Sequence, residues 1–164
     1  MGLVLFTSKQ TSLKFYGSLL LIALIGFSLE VLGVKTELIF GSYFYGHALG
    51  LKALSVPLLI GVNWAILLYS TAQFSRFKNK VLNALFGSFL MVFLDFFMEQ
   101  NAARFDFWYW KNNIIPLQNY IAWFIISFIL NIIFQNRINQ KSNLTASAFY
   151  VIEIIFFASL FFKN

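Results

Sequence analysis

Long apolar runs separated by short polar clusters set the layout of this chain. The first run, residues 13–32, holds about twenty residues, enough at helical rise to match a hydrocarbon core of about 30 Å. It ends on Glu30. Residues 33–55 are too polar and too often broken by glycine for a span, so they read as an interfacial or re-entrant segment, with Tyr43, Phe44 and Tyr45 at headgroup depth. Four further runs predict spans over residues 56–74, 81–98, 114–134 and 144–162. Pro57 and Pro116 fall in first helical turns, where a missing N–H costs nothing. The link 75–80, Ser-Arg-Phe-Lys-Asn-Lys, is only long enough for a tight hairpin, and 135–143 is the most polar loop. The fold expected is an all-α polytopic bundle of about five spans in one integral membrane domain, with no internal repeat.

Composition strengthens this picture. The chain is 60% hydrophobic and 11% charged, against about 45–50% and about 25% in soluble proteins. Its net charge of +6 comes from cations scattered between apolar runs, the pattern of membrane loops beside anionic lipid and not of a nucleic-acid surface. Cysteine is absent, which removes disulfides and thiolate chemistry. The first fifteen residues lead into an apolar run of full spanning length that has no small-residue cleavage pattern, so no signal peptide is expected.

Five spans put the two ends on opposite sides. Lys9, Lys14, Arg76, Lys78, Lys80, Arg137 and Lys141 then share the N-terminal side, and Lys35, Lys52, Arg104, Lys111 and Lys163 share the other with Glu37, Glu99 and Asp106. The bias of seven cations to five favours a cytoplasmic N-terminus. The same sorting gathers chemistry on the far side. Glu30 ends the first span there, Asp95 and Glu99 end the third, Asn63 and Asn119 lie within two turns of the far-side starts of the second and fourth, and the far-side loop brings His47.

Ionisable side chains within a span are costly and commonly face a protein-lined cavity. Asp95 and Glu99, four residues apart, share one helix face. Asp95 sits inside the run Leu-Met-Val-Phe-Leu-Asp-Phe-Phe-Met, on a face with Gly87, Ser88 and Met91 where small residues admit a neighbouring helix or a flat ligand. Glu30 and Glu99 also read as helix-end carboxylates reaching the interface. Asn63 and Asn119 suit hydrogen bonds across helices, and His47, alone, supports no metal site. Glu153 stands mid-span without a polar neighbour and stays open between a functional acid and one held neutral against another helix. Trp108, Tyr109, Trp110 and Trp123 fit an aromatic belt at the far interface, and such rings also suit a polyene. No phosphate loop, nucleophile elbow, HExxH or nucleotide fingerprint is present. An ion-coupled transporter would spread its acids through the bilayer, whereas all but Glu153 gather at one side.

Four phrases in order, FSLEVLGVKTELIFGSYFYG, LSVPLLIGVNW, LDFFMEQNAARFDFWYW and IPLQNYIAWF, resemble the membrane-embedded carotenoid biosynthesis proteins, the family that includes bisanhydrobacterioruberin hydratase and γ-carotene hydratase. The resemblance covers roughly residues 27–124 and rests on Glu30, Gly33, Phe40, Gly41, Tyr43, Tyr45, Pro57, Asn63, Trp64, Asp95, Glu99, Trp108, Trp110, Pro116, Asn119 and Trp123. Gln100 and Ala122 depart from the Pro and Gly usual in the family, whose members tend to be longer, with extra spans before the first one here. The resemblance implies hydration of the terminal 1,2 double bond of an acyclic carotenoid end to a tertiary alcohol, without cofactor or metal. Its implied catalytic residues are Asp95 as acid and Glu99 or Glu30 as base, with Asn63 and Asn119 positioning water and Trp64 or Trp123 stabilising a cation. Tyr43, Tyr45, His47, Trp108 and Trp110 complete the expected substrate-binding set. The implied partners are the carotenoid, membrane lipid and other carotenoid biosynthesis enzymes, in a bacterial inner membrane. A non-catalytic membrane subunit that binds carotenoid or lipid is the alternative.

Overall fold

A computed structural model describes residues 12–138 and 142–162; Lys9, Lys141 and Lys163 of the loop-charge argument lie outside them. Among the described residues the chain is an all-α bundle of five helices: α1 Leu13–Thr36, α2 Leu58–Ala72, α3 Lys80–Glu99, α4 Leu117–Ile138 and α5 Leu144–Phe161. Four of these, all but α2, are long and apolar enough to cross a membrane.

The helix starts are written locally. Ser12 caps α1 by accepting from Phe15 N–H at 3.2 Å, and Asn79 caps α3 by accepting from Val81 and Leu82 N–H at 2.8 and 3.2 Å. Asn143 caps α5 through Ala146 N–H at 3.2 Å, and its own N–H reaches Gln73 Oε1 at 2.9 Å, tying α5 to the end of α2. Asn83 closes the 75–80 hairpin by bonding both the N–H and the carbonyl of Phe77 at 2.8 Å.

Helix α2 is shorter than the apolar run that announces it: 15 residues, with Val56–Pro57 drawn into a two-residue ladder against Lys52–Ala53. Every residue from Trp64 to Ala72 is buried, because α2 packs against α1, α3, α4 and α5. A helix hydrophobic all round belongs inside. It approaches α1 closely at Gly61, where a Cβ would lie 2.6 Å from the carbonyl oxygen of Ala23. Helix α1 runs one turn past its expected end, and α4 begins after Pro116 and runs on to Ile138.

The feature that the hydropathy pattern does not announce lies at the far end. Strand β1 Tyr43–Tyr45 pairs antiparallel with β4 Trp108–Trp110, in the register Tyr43 to Trp110, Phe44 to Tyr109 and Tyr45 to Trp108; β2 is Lys52–Ala53 and β3 Val56–Pro57. Alternation across a strand turns Tyr43, Tyr45, Trp108 and Trp110 inward to burial and leaves Phe44 and Tyr109 on the outer face, stacked at 5.3 Å. This ladder closes the end of the bundle. Gly41, at φ +109°, makes the bend that leads into it where a Cβ would lie 2.7 Å from Pro116.

Candidate active site

Three carboxyl groups, all buried, converge beneath the ladder. Glu30 comes from α1, less than two turns from the helix end at Thr36, and Asp95 and Glu99 come from successive turns of α3. Each is met by a different set of donors. Tyr43 and Tyr45 hydroxyls donate to Glu30 Oε2 at 2.5 and 2.8 Å, and the indole of Trp64 donates to Oε1 at 3.0 Å. Trp108 and Trp110 indoles both donate to Glu99 Oε2, at 2.9 and 2.6 Å. The amide of Asn119 bridges the two α3 acids, reaching Glu99 Oε1 at 3.0 Å and Asp95 Oδ2 at 3.1 Å. No described residue donates to the other oxygen of Asp95, Oδ1.

The ladder is therefore a donor platform. Desolvation first, and then the charge of Glu30, push the Tyr43 and Tyr45 hydroxyls well above the ordinary tyrosine range, so both keep their protons as donors. Outside the platform, Lys52 Nζ donates to the Tyr45 carbonyl at 2.7 Å. At its rim, Asp106 accepts from His47 N–H at 2.9 Å and from the Tyr109 hydroxyl at 3.0 Å, and these bonds hold its carboxyl below the usual carboxylate range.

A cavity of about 30 Å³ lies among these groups, lined by Glu30, Asp95, Glu99, Asn63, Asn119 and Trp123 together with Phe40, Tyr43, Tyr45, Ile60, Met98, Trp108 and Trp110. That is room for about two waters, and the lining supplies more than the two to four polar partners that a buried water needs. Among the described residues no Lys, Arg or His lines it, and no three carboxylate or imidazole groups are grouped to hold a metal ion.

Asp95, Glu99, Glu30, Asn63, Asn119, Trp123, Tyr43, Tyr45, Trp108 and Trp110 all reach the cavity. Trp64 stands one layer back, donating to Glu30 and stacked on Trp123 with centroids 4.1 Å apart and planes 15° from parallel, so the ring that faces the cavity is that of Trp123. His47 is not brought in: its residue is exposed, its backbone N–H donates to Asp106 and its carbonyl accepts from Gly50 N–H at 3.1 Å. Glu30 and Glu99 are not interfacial helix ends, and Trp108 and Trp110 are not a lipid-facing belt, because the ladder covers the acids and points the indoles at them. Of the two asparagines, Asn119 bonds across helices, while Asn63 lines the cavity without a side-chain hydrogen bond from the described residues. Ile60 and Met98 line the cavity unannounced, although each lies one turn from a residue already singled out, Asn63 and Asp95.

The pattern of residues 1–163 matches the family of carotenoid biosynthesis proteins. The chain belongs to that family. No curated protein and no solved structure matches it. Family membership gives the bundle a role in carotenoid biosynthesis, with lipid-soluble carotenoid as the substrate class in a membrane setting. Most of the sixteen residues that carried the resemblance in sequence touch the cavity or support it: Gly33 leaves room for Phe40, and Gly41 for Pro116.

Proposed function

We propose that this carotenoid biosynthesis protein is a hydratase, adding water across the terminal 1,2 double bond of an acyclic carotenoid end to give a tertiary alcohol. The observation that carries the reading is the unequal treatment of three carboxyls around a water-sized cavity. Glu30 and Glu99 each accept three hydrogen bonds from N–H or O–H donors, an acceptor-only setting that suits ionised carboxylates. Asp95 accepts one, on Oδ2, and its Oδ1 is left to carry a proton.

In this mechanism Asp95 Oδ1–H protonates the less substituted carbon of the double bond, and the π electrons form that C–H bond and leave a tertiary cation. The face of Trp123 and the two carboxylates stabilise the cation electrostatically. A cavity water, positioned by Asn63, adds its oxygen to the cation and gives up a proton to Glu99. That proton returns to Asp95 through the second cavity water, so the net change is one water added with no electron gained or lost. Asn119, bonded to both α3 acids, keeps acid and base at fixed separation. Glu30 is the alternative base, and its hydroxyl donors distinguish it from Glu99.

We place the chain in the bacterial inner membrane with a cytoplasmic N-terminus, on the loop-charge bias, which sets the site at the opposite side. Expression in a cell that accumulates lycopene tests the activity: mass spectrometry is expected to show products heavier by one water, and none from Asp95→Asn present in equal amount in the membrane. A chain that only presents carotenoid to other enzymes gives no such product unaided.

A further inference from the structure

A second cavity, of about 150 Å³, adjoins the acid cavity and shares Ile60, Asn63, Met98 and Trp108 with it. Its remaining walls are Leu49, Leu59, Phe107, Phe157 and Glu153. Glu153, in the middle of α5, takes no part in the mechanism above, and its Oε2 is buried with no hydrogen-bond partner among the described residues.

The lining narrows what can occupy this space. An apolar cavity of about this volume accepts a six-carbon hydrocarbon such as benzene and stays free of water, which wants two to four polar partners. Here the indole N–H of Trp108 is already given to Glu99, which leaves Asn63 and Glu153 as the polar side chains, so the cavity is a poor water store and a good fit for a branched five-carbon isoprenoid end. A carboxyl with an unmet hydrogen bond adds a second requirement, since a buried unsatisfied acceptor is costly until a donor arrives. A purely hydrocarbon end would leave that cost in place. A branched end bearing one hydroxyl satisfies both.

We infer that the second cavity is a binding site for the hydroxylated isoprenoid end, with Glu153 accepting the hydrogen bond of its tertiary hydroxyl. The identity of that hydroxyl-bearing end rests on the hydratase reading; the binding itself does not require turnover. The shared wall of Asn63, Met98 and Trp108 sets the two cavities side by side, so an alcohol held on Glu153 is kept apart from the protonated acid, which opposes dehydration.

The test uses the full-length Asp95→Asn protein, so that bound carotenoid is not converted, in lipid membranes loaded with equal amounts of lycopene and 1-hydroxylycopene. The protein is affinity-purified and the retained carotenoids are separated by chromatography. The expected result is a preference of about five-fold or more for the hydroxylated form, which is about 1 kcal/mol. Glu153→Leu is expected to bring the ratio to about one while still retaining carotenoid, and Glu153→Gln, which keeps an acceptor oxygen, to preserve the preference. Equal retention of the two forms by the Glu153 protein, a preference unchanged in Glu153→Leu, or no retained carotenoid at all would overturn the inference. Failure of hydration in cells alongside an intact Glu153-dependent preference would overturn the hydratase reading alone.

Discussion

Asn119 gives one amide nitrogen to two carboxyl groups, and its two N–H bonds decide how those groups differ. Glu99 is also served by two indoles, whereas Asp95 has nothing but Asn119. Replacing Asn119 by Leu removes the bridge and leaves both acids to reorient. Hydration by Asn119→Leu in membranes is expected to fall about a hundredfold or more, the scale of losing one preorganised donor. Trp110→Phe deletes one donor to Glu99 while keeping an aromatic ring. Its expected cost is about 1.5–3 kcal/mol of stability, measured as unfolding in detergent, because a donor to a charged group is lost in a buried place. The acids themselves were legible in the sequence, since Asp95 and Glu99 lie at helical spacing inside an apolar run. Their donors were not. An indole at the membrane interface and an indole aimed at a buried carboxylate are the same letter, and the three-residue ladder that separates these cases pairs segments more than sixty residues apart.

At the scale of elements, the ladder and the short helix α2 do the positioning. Helix α2 can be central because Gly61 lets it approach the α1 backbone at Ala23. Gly61→Ala forces backbone against side chain and is expected to destabilise the bundle by about 1–3 kcal/mol, read as a lower midpoint of thermal unfolding. Hydropathy located α2 but could not give its length, since an interior helix need not span the hydrocarbon by itself. The ladder rim offers a pH test. Asp106 is held below the usual range by His47 N–H and the Tyr109 hydroxyl, so its contribution is present above about pH 4 and disappears as pH falls through its depressed value. Asp106→Asn is therefore expected to melt lower than the unsubstituted protein at neutral pH, and the gap to shrink in acid. His47 shows the limit of loop reading: its position near the far end was legible, but the backbone turn at Asp106 uses its N–H and leaves the residue exposed. The rotation of α5 was equally hidden. Its sequence is apolar on every side, so nothing in it says that Glu153 faces the interior of the bundle.

At the scale of the molecule, distant segments meet at one end of the bundle. Glu30, Asn63, Asp95, Glu99 and Asn119 come from four helices, and all line one cavity at one end of the bundle. Four of the five helices are long enough to cross a membrane alone, and we propose that the 15-residue α2 crosses with them, which places the chain ends on opposite sides. Reporter fusions are expected to find the N-terminus in the cytoplasm and the C-terminus outside, and both ends on one side would refute that arrangement. The central claim is cofactor-independent hydration at Asp95. Its most direct measurement is on purified protein in liposomes, given lycopene and water labelled with heavy oxygen, with no other component. The account predicts a tertiary alcohol carrying the heavy oxygen from the unsubstituted protein and none from Asp95→Asn. Labelled alcohol at full rate from Asp95→Asn, or no labelled alcohol from the unsubstituted protein, would contradict it.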